Sequence, residues 1–367
     1  MLNFEKKIIK RQRSENLRGL QITPPLIDFS SNDYLGLARS PEMFKAVIQE
    51  WATQSGQLNG LGSTGSRLLT GNSLYAQNLE DRIASFHGYE SGLLFNCGYM
   101  ANVGLLSAIA DEGDTIIFDT GVHASTCDGI RLSRATALPF KHNDLDHLEN
   151  RLKNCSAQGD RFVCIDSIYS TDGSCAPLID ICHLTKRYGA HLIVDEAHAI
   201  GARGPEGRGL VAEYNLTTHI FAQIVTFGKA LGTQGAIVLG SNTLKQALIN
   251  FATSYIYTTA LPLQMLAAIK CSYDLFPKMK NERQHLHNLI RFFRTHNARY
   301  SNTHIQSIPV TGNANIKNAA LNLKIEGFDV RPLLSPTVRR GHEVLRICLH
   351  AFNTKHELIS LLQSFNR

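Results

Sequence analysis

The sequence predicts an α/β fold with a large, mostly parallel sheet domain and a smaller C-terminal α+β domain. Between about residues 90 and 240, short apolar runs alternate with helix-length segments, which is typical of a sheet covered by helices on both faces. Polar residues and glycines directly follow several of these runs, at the positions where open α/β sheets bind ligands. After about residue 262 the alternation gives way to a long helical stretch.

Six apolar runs are predicted as strands: 92–95, 114–119, 161–166, 191–196, 223–227 and 235–240. The segment PLIDICHLTKRYG, 177–189, predicts a connecting helix, because a proline opens it and a glycine closes it. Beyond the long helical stretch we expect short strands at AALNLKI, 319–325, and VLRICLH, 344–350, and then a final helix. We therefore predict an N-terminal segment over 1–40, a large domain over 41–270 and a small domain over 271–367.

Composition favours an ordinary globular protein, since 43% of the 367 residues are hydrophobic and 19% are charged. The densest part of the net charge of +6 lies in KKIIKRQRSENLR near the start. We interpret this run as a solvated helix face, so no nucleic-acid partner is expected. Eight cysteines without a CxxC pair indicate free thiols in a reducing compartment. No apolar run reaches the roughly 18 residues of a membrane span, and we expect a cytoplasmic protein.

Lys229 lies among glycines in VTFGKALGTQGA, 225–236, and two interpretations compete for it. A phosphate-binding P-loop needs the pattern GxxxxGK[ST]. Gln223 stands at the first glycine position and Ala230 follows the lysine, so this pattern is excluded. A lysine on a turn after a strand can instead form a Schiff base with an aldehyde such as pyridoxal.

Other side chains at predicted strand ends fit a pyridoxal site. Asp195 could keep the ring nitrogen of the cofactor protonated, although an aspartate there can also cap a helix. His198 follows three residues later, and His123 could stack on the ring or serve a structural role. The turn at Gly98 precedes a predicted helix, whose first N–H groups could bind a phosphate. The histidines form no zinc pattern, so no metal site is predicted.

Several motifs occur together in a characteristic order. They are SSNDYLGLA (30–38), GSTGSRLLTGNSLYAQNLE (62–80), NCGYMAN (96–102), HAS (123–125), STDGSCAPL (170–178), VDEAHAIG (194–201), GRGL (207–210), TFGKALG (226–232) and PTVRRGHEVLR (336–346). On these motifs, which span nearly the whole chain, the sequence resembles the α-oxoamine synthases. These are pyridoxal-phosphate enzymes of the aspartate aminotransferase type, fold type I.

The resemblance implies roles for individual residues around pyridoxal 5'-phosphate. Lys229 would hold the cofactor as a Schiff base and move protons at the substrate α-carbon. Asp195 would pair with the pyridinium nitrogen, and His123 would stack on the ring. The remaining implied contacts are His198 and Ser170 to the phenolic oxygen, Gly98, Tyr99 and Thr226 to the phosphate, Thr259 to the phosphate of a neighbouring subunit, Arg346 to the amino-acid carboxylate, and Arg18 and Thr337 to the acyl substrate. The role of Thr259 implies a homodimer with shared active sites.

Within the family, the chain looks most like members that condense L-alanine with a pimeloyl thioester in biotin biosynthesis, releasing carbon dioxide and free thiol. The thioester would be carried by CoA or by a carrier protein. The alternatives that stay open are a glycine-using ligase or another synthase of the same family, and a non-catalytic regulator on the same fold. Leu334 stands where the alanine-using members commonly carry an arginine. This leaves the acyl substrate open, with Arg331, Arg339 or Arg340 as candidate replacements.

Overall fold

The structure, a computed structural model, describes residues 1–20, 22, 24–55, 61–156, 158–296 and 301–365. The chain forms two compact units. The smaller unit contains Met1–Tyr34, Ser170–Ser174 and Gln284–Arg367, and the larger contains Leu35–Tyr169 and Cys175–Arg283. The smaller unit thus takes residues from both ends of the chain. The division into 1–40, 41–270 and 271–367 stays a prediction.

The α-helices are, in chain order, α1 Asn3–Arg13, α2 Pro41–Ser55, α3 Leu74–His87, α4 Gly98–Ile109, α5 Ala124–Leu132, α6 Leu145–Asn154, α7 Leu178–Arg187, α8 Leu210–Glu213, α9 Asn242–Phe251, α10 Thr253–Ile256, α11 Leu263–Leu275, α12 Lys280–His296, α13 Asn313–Ile325 and α14 Lys355–Ser364. The strands are β1 Ile27–Asp28, β2 Ser91–Phe95, β3 Thr115–Asp119, β4 Thr136–Phe140, β5 Arg161–Asp166, β6 His191–Asp195, β7 Ala222–Thr226, β8 Ala236–Gly240, β9 Ile305–Pro309, β10 Phe328–Asp329, β11 Arg331–Leu333 and β12 Val344–Cys348.

The larger unit is built on a seven-stranded sheet of order β2-β8-β7-β6-β5-β3-β4. In this sheet of described strands, β8 runs in the direction opposite to the other six, so the six predicted strands and the mostly parallel sheet are confirmed. Strand β4, which contains Pro139, was not predicted from the sequence. A proline cannot donate to a neighbouring strand, and β4 accordingly lies at the edge of the sheet.

Three neighbouring strands, β2, β8 and β7, are buried along their whole length. Such burial is expected for strands covered on both sides. On one face, Leu105 and Leu106 of α4 belong to a cluster with Ile116, Ile193 and Ile224 of the sheet. This packing fixes α4 against the strands, and with it the start of α4 at Gly98.

The connecting helix predicted over 177–189 is confirmed as α7. The long helical stretch after residue 262 is two helices, α11 and α12, because a short 3-10 turn containing Pro277 separates them. Among the described residues, no helix combines the length and the apolar character that crossing a membrane requires.

The smaller unit contains an antiparallel sheet of order β11-β12-β9 and a parallel pair of β1 and β10. The predicted strand VLRICLH and the final helix are confirmed as β12 and α14. The predicted strand AALNLKI is wrong, because these residues end helix α13. Its buried residues, Ile316 and Leu323, lie two helical turns apart, and alanine, leucine and lysine favour helices.

Candidate active site

Functional side chains of the larger unit collect at one edge of its sheet. Strands β3, β5, β6 and β7 are parallel neighbours, and β2 runs in the same direction because two antiparallel pairings separate it from β7. Their carboxyl ends therefore meet at a single edge. The residues at or just after these ends include Gly98, His123, Asp195, His198 and Lys229.

Lys229 contacts His198 directly. The Lys229 Nζ lies 2.9 Å from Nε2 of His198, and the histidine is 5% exposed while the lysine is half-buried. An ammonium can only donate, so Nε2 accepts whenever Lys229 is charged. The structure thus brings the candidate nucleophile and a predicted cofactor ligand into one hydrogen-bonded pair.

A buried network joins Asp195 to His123. Asn102 donates through Nδ2 to Oδ2 of Asp195 at 2.8 Å and to Oγ of Ser125 at 3.0 Å. Ser125 Oγ lies 2.7 Å from Nδ1 of His123. The other oxygen of Asp195 accepts the main-chain N–H of Ala197 at 2.9 Å. Both carboxylate oxygens of Asp195 are therefore held in place by donors.

The same network assigns the neutral form of His123. Nδ1 of His123 faces the main-chain N–H of Ser125 as well as its hydroxyl, so Nδ1 accepts and Nε2 carries the proton. Burial lowers the pKa of His123, the charge of Asp195 opposes that shift, and the Lys229 ammonium adds to it. A neutral, fixed imidazole suits stacking on a flat ring better than a mobile cation.

The start of α4 fits a phosphate. Its N-cap, Cys97, makes no side-chain capping hydrogen bond, which leaves the first N–H groups of α4 for another acceptor. A Cβ on Gly98 would lie 2.5 Å from Cγ2 of Thr226, so glycine at this position lets the start of α4 lie against the Thr226 side chain. Oγ1 of Thr226 is buried without a hydrogen-bond partner among the described residues. A phosphate would satisfy this hydroxyl, which would otherwise carry a desolvation cost.

Two further predicted cofactor contacts lie nearer the surface of this unit. Tyr99, the second residue of α4, is 46% exposed and its hydroxyl contacts Asp128, so any phosphate contact would come from its main chain. Thr259 is exposed, and its carbonyl accepts Nδ2 of Asn96 at 2.8 Å. Its role toward a second subunit stays a prediction.

The smaller unit holds the predicted carboxylate-binding arginine. Arg346 on β12 donates from Nε to the carbonyl of Ser170 at 2.6 Å and from Nη2 to Oδ1 of Asn32 at 3.0 Å. Burial disfavours the charge of this guanidinium, but Cys348 and Tyr34 raise its pKa overall. The guanidinium is thus charged and fixed in orientation. The structure brings Ser170 and Arg346 together, and it does so through the main chain of Ser170.

A groove of about 1230 Å³ in the same unit contains both predicted acyl-site residues. Nη2 of Arg18 donates to Oγ1 of Thr337 at 3.2 Å. The described lining includes Leu334 and Arg331 but neither Arg339 nor Arg340. The lining also includes the leucines Leu17, Leu20, Leu321 and Leu333, the cations Arg11, Lys317 and Lys324, and the acidic Asp329, which pairs with Arg331. Apolar walls with scattered positive charge suit an extended acyl chain that ends in an anion.

Three residues of these networks, and one further buried aspartate, Asp166, were not predicted as site residues. Asn102, Asn32 and Ser125 lie inside the motifs NCGYMAN, SSNDYLGLA and HAS, but each acts through another residue, which spacing alone does not reveal. Asp166 ends the predicted strand RFVCID. The sequence shows this carboxylate at a strand end, but not that β5 pairs with β6 and brings it beside Asp195.

Comparison with known proteins gives consistent matches over most of the chain. Residues 24–365 match the model of the class I and II aminotransferase family. An 8-amino-7-oxononanoate synthase of Emericella nidulans is 41% identical, over 96% of this chain and 92% of the relative. The structure of serine palmitoyltransferase from Sphingomonas wittichii aligns with a TM-score of 0.89 at 27% identity, covering 99% of this chain and 96% of that chain. A structure of SPT with its PLP internal aldimine aligns with a TM-score of 0.88 at 25% identity, with the same coverage.

Proposed function

Since the chain belongs to the class I and II aminotransferase family, we propose that it condenses L-alanine with a pimeloyl thioester to give 8-amino-7-oxononanoate, carbon dioxide and free thiol. The chain is a pyridoxal-phosphate-dependent enzyme of the α-oxoamine synthase type. Its fold is type I, as predicted. A non-catalytic regulator is therefore set aside, and the proposal concerns the substrates and the residue roles.

The observation that carries the proposal is the hydrogen-bonded set at the sheet edge: Lys229 on His198, and Asp195 held by Asn102. When bound, pyridoxal phosphate supplies a sink for the electrons left at the amino-acid α-carbon after bond cleavage. Asp195 is proposed to face the ring nitrogen, since its two held oxygens present a fixed negative charge. His123 is proposed to cover the ring.

Lys229 is proposed to bind the cofactor covalently and then to exchange protons at the α-carbon. The contact with His198 orients Nζ and offers it an acceptor, as a general acid-base lysine requires. His198 and Ser170 are proposed to contact the phenolic oxygen of the cofactor. Thr226 and the main-chain N–H groups at Gly98 and Tyr99 are proposed to hold its phosphate.

Substrate roles fall to the smaller unit. Arg346 is proposed to bind the amino-acid carboxylate, because a fixed guanidinium can form paired hydrogen bonds with a carboxylate. The groove beside Arg18 and Thr337 is proposed to take the acyl thioester. Arg331, paired there with Asp329 at 3.0 Å, is the candidate for the charge that Leu334 does not supply.

We also propose a homodimer in which Thr259 serves the neighbouring subunit, in keeping with its exposed position. The acyl donor is pimeloyl-CoA or a pimeloyl carrier protein. A cytoplasmic location stays a prediction.

The proposal is tested by incubating the purified, cofactor-loaded protein with each pairing of L-alanine or glycine and pimeloyl-CoA or acetyl-CoA. Thiol release and the amino ketone are measured by mass spectrometry. We expect product from alanine with pimeloyl-CoA, or with a pimeloyl carrier protein if CoA fails. Product formed only from glycine and acetyl-CoA would instead identify the glycine-using ligase.

A further inference from the structure

Asp166 is a buried carboxyl beside Asp195 that the roles above do not use. It is the last residue of β5, pairs in register with Asp195 at the end of β6, and is 4% exposed. Residues in register on parallel neighbours project to the same face of a sheet. Two aspartates therefore stand side by side at the edge where the cofactor ring is proposed to lie.

The two carboxyls differ in their hydrogen-bond donors. Asp195 accepts Nδ2 of Asn102 and the main-chain N–H of Ala197, one on each oxygen. Within the described part of the chain, Asp166 accepts the main-chain N–H of His123, and its Oδ1 is buried with no partner there. A buried carboxylate needs donors on its oxygens, so of the pair Asp195 is equipped to carry the charge and Asp166 is not.

The electrostatic surroundings also favour the neutral form of Asp166 over its carboxylate. Burial and then the charge of Asp195 raise the pKa of Asp166 well above its usual value, and Lys229 and the N–H of His123 only partly oppose this. Two adjacent carboxyls cannot both ionise cheaply in a buried site. The titratable groups that face Asp166 are Asp119 on β3, Cys164 on β5, Asp195 on β6, His123 and Cys127 at α5, and Lys229 after β7. Asp119 is itself paired with His142 at 2.9 Å.

We propose that Asp166 is a positioning residue that stays a neutral carboxylic acid: it leaves Asp195 as the single carboxylate of the pair and holds the main chain of His123. The sheet edge then presents one negative charge to a ring nitrogen, not two. His123 is fixed at both ends, through its N–H by Asp166 and through Nδ1 by Ser125. The inference rests on the proposed role of Asp195 toward the cofactor, but the protonation of Asp166 can be measured without it.

The first test measures pyridoxal-phosphate affinity of the full-length chain by absorbance titration at pH 7.5. Asp166→Asn keeps a neutral group of the same shape, so its dissociation constant should stay within about threefold of the wild type. Asp195→Asn should weaken binding by about tenfold or more. A loss of more than threefold in Asp166→Asn would overturn the inference. An unchanged affinity in Asp195→Asn would instead count against the proposed cofactor site.

The second test concerns stability without cofactor. A carboxyl whose pKa is raised in the folded chain lowers stability as pH rises from its unfolded value toward its folded value. Asp166→Asn lacks this penalty. The ratio of its unfolding equilibrium constant to that of the wild type should therefore fall by up to about tenfold for each pH unit above pH 4 to 5. Denaturation at pH 5 and pH 8 measures the ratio. A ratio that does not change with pH would contradict a neutral Asp166.

If Asp166→Asn does not fold, infrared spectroscopy of the wild-type chain gives the answer directly. Aspartate-specific carbon-13 labelling separates aspartates from glutamates such as the buried Glu196. A labelled carboxylic-acid carbonyl band at pH 7 is expected, since burial and the charge of Asp195 raise the pKa of Asp166. The absence of that band would overturn the inference.

Discussion

Asn102→Ala should destabilise the proposed cofactor site around Asp195, because it removes a donor that serves two buried side chains. Its Nδ2 donates to Oδ2 of Asp195 at 2.8 Å and to Oγ of Ser125 at 3.0 Å, and the side chain is buried. A hydrogen bond to a charged group contributes roughly 1.5–3 kcal/mol, and a neutral one about 1 kcal/mol. The substitution should therefore destabilise the larger unit by about 2–4 kcal/mol.

The assay for Asn102→Ala is urea denaturation of the cofactor-free chain, followed by fluorescence. The single tryptophan, Trp51, lies on α2 in the larger unit and reports the unfolding of that unit. Ser107→Ala is the matched control, because it lies on the same helix and its hydroxyl bonds only locally, to the carbonyls of Val103 and Gly104. We expect its effect to stay within about 0.5 kcal/mol. If Asn102→Ala matched this control, the network would not stabilise the site as described.

Five further substitutions, one of them a control, test the proposed roles of other residues. Thr226→Val should weaken pyridoxal phosphate binding about tenfold but leave the affinity for pyridoxal unchanged, since only the phosphate is proposed to meet this hydroxyl; equal losses for both would contradict that role. Arg346→Lys should raise the KM for alanine about tenfold with a smaller effect on kcat, because an ammonium cannot reproduce the oriented fork; an unchanged KM would remove Arg346 from the substrate site. Arg331→Glu should raise the KM for the acyl donor, while Arg340→Glu, outside the described groove lining, should not. A raised KM in Arg340→Glu and an unchanged KM in Arg331→Glu would instead assign acyl-donor binding to Arg340. Burial raises the pKa of Glu196 from 4.5 to about 7, so the wild type should lose stability as pH rises through this interval. Glu196→Gln should reduce this dependence of stability on pH in denaturation followed by Trp51 fluorescence. An equal dependence in the variant would show that Glu196 is not its cause.

The positions of Lys229, Asp195 and His198 could be predicted because parallel strands impose a simple rule. Each strand is an uninterrupted apolar run, and the residues after it must gather at one edge. The sequence of a single strand does not predict which other strands lie beside it in the sheet. The register of β5 against β6, which brings Asp166 beside Asp195, therefore emerges only in the folded sheet.

The incorrect strand prediction and the two missed features also have local causes. The residues AALNLKI alternate in polarity as a strand would, yet they extend a helix whose buried positions begin earlier, at Ile316. The run TALPF contains a proline and is mostly exposed, so it lacks the apolar character by which the other strands were found. Asn102 was missed for a different reason. Its side chain donates hydrogen bonds to two residues that are distant in the chain, and such contacts produce no periodic pattern in the sequence.

The central claim is that this chain catalyses a decarboxylative condensation that depends on Lys229. Its most direct measurement follows carbon dioxide released from carboxyl-labelled L-alanine together with free thiol released from the pimeloyl thioester. We expect the wild type to release equal amounts of labelled carbon dioxide and free thiol, and Lys229→Ala to release neither product above background. Thiol release without labelled carbon dioxide, or equal release of both by Lys229→Ala, would contradict the central claim.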